Sequence, residues 1–307
     1  MRRRNFVRTV VTAAAGAVIS APVLAEEETQ KTGNHAGRPF HLNYGIHDGM
    51  FKNSAGNDFI EQIKYAYSAG FRAIEDNGMM DRPPAEQEKI GNTLSSLGMQ
   101  MGVFVLNFDH WPVHTSLTSA DKGWRDKFIQ SCHDAIDVSR RCGGKLMTVV
   151  PGNYETSLSP AYQTANVIDA LREASLIFEP HGIVMVIEAL SDTPDLFLRH
   201  SDQAYMICKA VNSASCKFLF DMYHMQRNEG DIIKNIDRAW QEIGYFQIGD
   251  NPGRKEPGTG EMNYRNIFQH IYEKGYRGVL GMEHGNAFPG KEGEQKLIAA
   301  YRACDSW

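Results

Sequence analysis

Short apolar, strand-forming runs recur along the chain at 41–46, 71–75, 99–107, 145–150, 183–188, 216–221, 245–248 and 278–283. Each is four to nine residues long and almost continuously apolar, as strands covered on both faces are. Between them the apolar positions shift to helical spacing. Phe59, Ile60, Ile63, Ala66 and Tyr67 share one face, Ile129, Cys132, Ala135, Ile136 and Val138 another, and Ile267, Phe268 and Ile271 a third. Gly70, Gly98, Gly182 and Gly275 stand where a helix must stop before the next strand. Eight strands alternating with eight helices over roughly 265 residues predict a closed (β/α)₈ TIM barrel, an architecture of about 250 residues. An open doubly wound sheet is the alternative, weakened because no G-x-G-x-x-G follows an early strand.

The stretch 245–264 breaks the alternation. After the apolar Tyr245–Ile248 come four glycines and two prolines among Asp250, Asn251, Arg254, Lys255, Glu256 and Glu261. No helix or central strand tolerates that composition, so a long polar loop leaves the end of a strand here.

The amino terminus reads differently from the rest. Arg2, Arg3, Arg4 and Arg8 precede an uncharged, alanine-rich run ending at Ala25, then Glu26, Glu27 and Glu28. That order describes a cleavable export signal over 1–25, and the paired arginines resemble the twin-arginine type. The run is too short to span a membrane. Residues 26–38 read as a flexible leader and 39–307 as one domain, exported to the periplasm. Losing the four arginines takes the formal charge from −5 to −9, which argues against a nucleic-acid partner. Five scattered cysteines without C-x-x-C indicate neither a zinc knuckle nor a disulfide scaffold. They read as buried thiols, with Cys208 and Cys216 the two that export would allow to pair.

In a barrel, polar groups at the carboxyl ends of strands face the catalytic mouth. Glu188, Asp221, Gln247 and Glu283 stand there on consecutive strands, 33, 26 and 36 residues apart, about one strand–helix unit each. A carboxylate in such apolar surroundings is costly unless it is paired or binds a cation. Three carboxylates and an amide oxygen form an all-oxygen donor set suited to Mg²⁺ or Mn²⁺, with Co²⁺ also compatible and zinc less so.

The block Asp221-Met222-Tyr223-His224-Met225-Gln226, then Gln247 with Pro252-Gly253-Arg254-Lys255-Glu256-Pro257 and Gly260-Glu261, then Gly281-Met282-Glu283 resembles the xylose-isomerase-like sugar isomerases and epimerases, and most nearly the hydroxypyruvate isomerase family. The resemblance implies that Glu188, Asp221, Gln247 and Glu283 bind a divalent metal. It implies further that Glu188 and Glu283 exchange protons with substrate, while His224 and Arg254 hold substrate oxygens. The chemistry is consistent: shifting a proton between adjacent carbons of a hydroxy-carbonyl compound passes through an enediolate, whose charge a cation offsets. Arg254 has Glu256 and Glu261 as nearer charge partners in its own loop. His47, Glu75, His110, Trp111 and Tyr154 read as supporting residues of the pocket. The expected partner is a small sugar or hydroxy-keto acid, with homo-oligomerisation open. The chain departs from the hydroxypyruvate pattern at Glu188-Ala189-Leu190-Ser191-Asp192 and at Asn107-Phe108-Asp109-His110-Trp111-Pro112. The substrate is therefore open, as is a lyase or dehydratase outcome, or a carbohydrate-binding role without catalysis.

Overall fold

Strands form where the apolar pattern places them. The computed structural model of the protein describes residues 37–106 and 117–307. The export signal expected over 1–25, the expected leader up to residue 36, and His110 and Trp111 lie outside the described residues. The strands are β1 (Asn43–Ile46), β2 (Ala73–Ile74), β3 (Gln100–Met101), β4 (Val103–Val105), β5 (Leu146–Val149), β6 (Val184–Glu188), β7 (Cys216–Asp221), β8 (Ile243–Gln247) and β9 (Val279–Gly281). All pair in parallel, in the order β3-β2-β1-β9-β8-β7-β6-β5-β4.

Nine strands rather than eight result from one break. The run at 99–107 divides at Gly102 into β3, paired with β2, and β4, paired with β5. A side chain at Gly102 would collide with the Tyr245 hydroxyl and the Ile74 carbonyl. The Gly102 N–H donates to Ile74 O at 2.7 Å, and the Asp76 N–H to Val103 O at 3.3 Å. The two pieces are therefore one kinked stave, and the ring closes across the kink.

The helices are α1 (Lys52–Ala55), α2 (Phe59–Ala69), α3 (Pro84–Leu97), α4 (Lys122–Cys142), α5 (Pro160–Phe178), α6 (Ser201–Val211), α7 (Met222–Asn228), α8 (Ile232–Ala239), α9 (Tyr264–Glu273) and α10 (Gly290–Cys304). Short α1 and α7 sit in the loops leaving β1 and β7; seven of the others cross between successive staves and α10 follows the last strand. In α2, Asp58 accepts the Ile60 N–H at 2.9 Å, and Gly70 closes the helix at φ 105°, a left-handed conformation that suits glycine. Phe59, Ile60, Ile63 and Ala66 turn inward between those ends. Among the described residues no helix is long and apolar enough to cross a membrane. All five cysteines are free thiols, four of them buried.

The core has two parts. The larger lies between the outer face of the strands and the helices. The smaller fills the barrel, with Ala73, Val103, Val186, Leu219, Tyr245 and Val279 packed together. This inner tier sets the position of the site.

Candidate active site

Strand side chains alternate, so two residues beyond each inner-tier position the next side chain points inward. Counting two from Ala73, Val186, Leu219 and Tyr245 reaches Glu75, Glu188, Asp221 and Gln247, all buried at the carboxyl end. From Val279 the count reaches Gly281, then Glu283 on the loop beyond β9. The register is staggered: Glu188 lies opposite Leu219, Asp221 opposite Gln247, and Gln247 opposite Gly281. Tilted staves shift in this way around a barrel, and a two-residue step preserves the inward parity.

The structure brings Glu188, Asp221, His224 and Glu283 into one cluster, with one donor atom from each lying within 4.8 Å of the others. Asp221 ends β7 and caps α7: its Oδ1 accepts the Tyr223 N–H at 2.7 Å. Arg254 bridges the acids, its Nη2 donating to Glu283 Oε2 at 2.6 Å and Asp221 Oδ2 at 3.2 Å. Its guanidinium lies 4.9 Å from the centre of the Tyr223 ring. Glu256 and Glu261 are engaged elsewhere, by the Ala287 N–H and the Gln226 amide. The other oxygen of Glu283, Oε1, accepts from Asn77 Nδ2 at 2.8 Å.

Such crowding makes protons hard to remove. Burial, then the neighbouring Glu283 and Asp221 charges, raise the Glu188 pKa well above the usual carboxylate range. Burial also lifts Glu283, to about 8, against the opposing pull of Arg254. Burial lowers His224.

His224 is oriented by Ser191. The Ser191 backbone N–H donates to Nδ1 at 3.1 Å, and Ser191 Oγ lies 2.8 Å from the same atom. Nδ1 is therefore the acceptor, and the proton of the neutral ring sits on Nε2. Nε2 faces Asp221 Oδ2 at 3.4 Å, Asp192 Oδ2 at 3.8 Å and Glu188 Oε1 at 4.0 Å. An N–H offers a cation no lone pair, so this tautomer makes His224 a hydrogen-bond donor to an oxygen.

Three oxygens and one ring nitrogen in this region are left over. Glu188 Oε1, Gln247 Oε1 and Asn77 Oδ1 are buried without a hydrogen-bond partner, as is His224 Nε2. Orphaned acceptors of this kind are costly in a dry interior and suit a bound cation. The donor set Glu188, Asp221, Gln247 and Glu283 therefore fits a hard divalent ion by its chemistry.

The loop after β8 is ordered from within. Asp250, fully buried, accepts the N–H groups of Gly258, Gly260 and Met262 at 2.9, 2.9 and 3.1 Å. Arg254 N donates to Asp250 O at 2.8 Å, and Arg254 adopts a left-handed φ of 50° that directs it into the mouth. Asp250→Ala would strand three donors and is expected to cost roughly 2–4 kcal/mol, with weaker catalysis through a displaced Arg254. Calorimetric melting checks this, and an unchanged melting temperature would contradict it.

Of the expected supporting residues, His47 and Glu75 pair at 2.9 Å, and Tyr154 packs against Phe197. Sequence reasoning did not reach Asn77 or the role of Ser191. Asn77 was within reach of the same two-residue count, starting from Glu75.

A parallel barrel with buried acids at the carboxyl ends of its strands has the form of an enzyme site. The chain belongs to the xylose isomerase-like TIM barrel family, whose model matches residues 63–304. It is 29% identical over 229 residues to the hydroxypyruvate isomerase of Escherichia coli, covering 74% of this chain and 88% of that one. To the 2-oxo-tetronate isomerase of Cupriavidus necator it is 28% identical over 228 residues, 74% of this chain and 86% of that one. A solved structure described as AP endonuclease, family 2, from Brucella melitensis superposes with a TM-score of 0.73 at 23% identity, over 84% of this chain and 98% of that one. At that identity the likeness concerns the fold alone.

Proposed function

We propose that the protein is a divalent-metal-dependent isomerase or epimerase of a small sugar or hydroxy-keto acid, of the hydroxypyruvate isomerase kind. The observation that carries the proposal is the pairing of Glu188 and Glu283, two acids with raised proton affinity, in one buried cluster beside orphaned oxygens. The two relatives named as isomerases of small hydroxy-keto acids support the substrate class.

Glu188, Asp221, Gln247 and Glu283 would hold Mn²⁺ or Mg²⁺, with Co²⁺ also suited to the oxygen set. When bound, the cation supplies positive charge opposite the two oxygens of an enediolate, a stabilisation of several kcal/mol. The protein's own groups perform the proton transfer. One of the two glutamates takes the proton from the carbon beside the carbonyl, and the electron pair left behind forms the enediolate double bond. The other glutamate returns a proton, either to the neighbouring carbon while the hydroxyl proton passes to the former carbonyl oxygen (isomerisation) or to the opposite face of the same carbon (epimerisation), each transfer contributing roughly 10²–10⁴-fold. His224 donates its Nε2–H to a substrate oxygen, and the Arg254 fork positions a second. The proposal includes twin-arginine export, with a mature chain beginning at Glu26.

The test is proton NMR of the Mn²⁺-loaded protein in deuterated water with hydroxypyruvate, 2-oxo-tetronate and a panel of ketoses. Deuterium entering the substrate carbon together with an isomer is the expected result. No exchange with any of them would overturn the proposal, and a product that has lost water would replace it with a lyase.

A further inference from the structure

We infer that Glu75 is a positioning residue whose buried carboxylate fixes the side-chain amide of Gln247, so that its carbonyl oxygen, and not its NH₂, is offered to a divalent cation at the barrel mouth. The inference rests on the proposed role of Gln247 as a ligand and adds what makes that role possible.

A glutamine amide is two-faced. Rotating it by half a turn exchanges oxygen for nitrogen with almost no change of shape. A ligand must present oxygen, so something has to hold the nitrogen on the other side. Glu75 is completely buried on the same inward tier as Gln247. Its Oε1 accepts from Gln247 Nε2 at 2.8 Å and lies 2.9 Å from His47 Nε2, and its Oε2 accepts from Tyr245 Oη at 2.8 Å. A carboxylate only accepts. With the amide reversed, Gln247 Oε1 would meet Glu75 Oε1 as two acceptors at hydrogen-bond distance, and a charge-assisted bond would become a repulsion. The orientation observed leaves Gln247 Oε1 buried and unpartnered.

Space for this arrangement is cut into neighbouring staves. A side chain at Gly281 would collide with the Glu75 carboxylate, and one at Gly102 with the Tyr245 hydroxyl. Gly281 lies opposite Gln247 in the ladder. The two glycines therefore accommodate the acid and its tyrosine donor beneath the mouth.

The experiment measures Mn²⁺ affinity of the full chain, without substrate, by electron paramagnetic resonance of the free ion. Glu75→Gln keeps the shape but presents an amide to Gln247, and Mn²⁺ binding is expected to weaken about 10–100-fold. The exchanged pair Glu75→Gln/Gln247→Glu restores one donor facing one acceptor, with His47 accepting through its other tautomer. It is expected to recover most of the lost affinity and to bind Mn²⁺ more tightly than Gln247→Glu alone, a comparison that removes the gain a new carboxylate ligand brings by itself and that a merely structural role for Glu75 would not produce. Unchanged binding in Glu75→Gln, or an exchanged pair no tighter than either single variant, would overturn the inference while leaving the metal site standing. A wild-type protein that binds no Mn²⁺ would instead remove the metal site and this inference with it. Should Glu75→Gln not fold, the exchanged pair against Gln247→Glu decides: tighter binding supports the inference, and no gain overturns it.

Discussion

Glu283→Gln is expected to lower kcat by about 10²–10⁴-fold with much less effect on KM, because the change removes a proton carrier and keeps its outline. In the metal-free protein burial lifts the Glu283 pKa to about 8. A bound cation would lower that value and leave Glu283 an anion able to take the substrate proton. The amide neither accepts the substrate proton nor carries negative charge toward a cation. Stability should change little. One amide face must meet either Asn77 Nδ2 or Arg254 Nη2, both donors to the native carboxylate at 2.8 and 2.6 Å, and a mismatched donor costs roughly 1–3 kcal/mol. Removing one of several crowded negative charges offsets part of that. Steady-state kinetics on the substrate found by NMR, with a melting curve beside it, check the expectation. Turnover within a few-fold of the native rate would take Glu283 out of the chemistry.

The acids at the barrel mouth were legible because strand periodicity and stave spacing are local properties. Once 183–188 and 216–221 read as buried strands, Glu188 and Asp221 could only be the polar residues at their ends, facing inward with parity set by the apolar residues before them. Gln247 followed by the same count, and the closed parallel fold from the regular alternation. What remained hidden depends on contacts between distant residues. The break at Gly102 is invisible in an evenly apolar run, because its cause is Tyr245 on a different stave. The partner of Arg254 is a similar case. Its own loop offers Glu256 and Glu261, yet its left-handed backbone and the Asp250 hub carry the guanidinium to Asp221 and Glu283 instead. The tautomer of His224 turns on one N–H from Ser191, a residue whose role no spacing rule reports. Periodicity places a side chain on the correct face; the hydrogen bonds that decide its chemical state come from elsewhere in the fold.

Chelating the metal is expected to abolish activity and to expose a pH dependence that the loaded enzyme lacks. In the metal-free protein Glu283 holds its proton up to about pH 8, and Glu188 is raised in the same direction. In the unfolded chain both titrate near the ordinary value of about 4.3. Between those limits the folded state binds more protons than the unfolded one, so metal-free stability should fall as pH rises through that window. A cation needs the deprotonated acids, so its binding releases protons and strengthens as pH rises. The two trends oppose each other. At an ion concentration about 100 times its Kd, binding contributes about 2.7 kcal/mol, a rise of roughly 5–10 °C in Tm for a domain of this size. The Mn²⁺-induced rise should therefore be larger near pH 8 than near pH 5.5, and calorimetric titration in buffers of different ionisation enthalpy should register proton release. If metal-free stability climbed with pH across this range, Glu188 and Glu283 would be ordinary ionised carboxylates in the folded protein. The cluster would then bind its cation without displacing protons, and neither glutamate would be poised to exchange one with substrate.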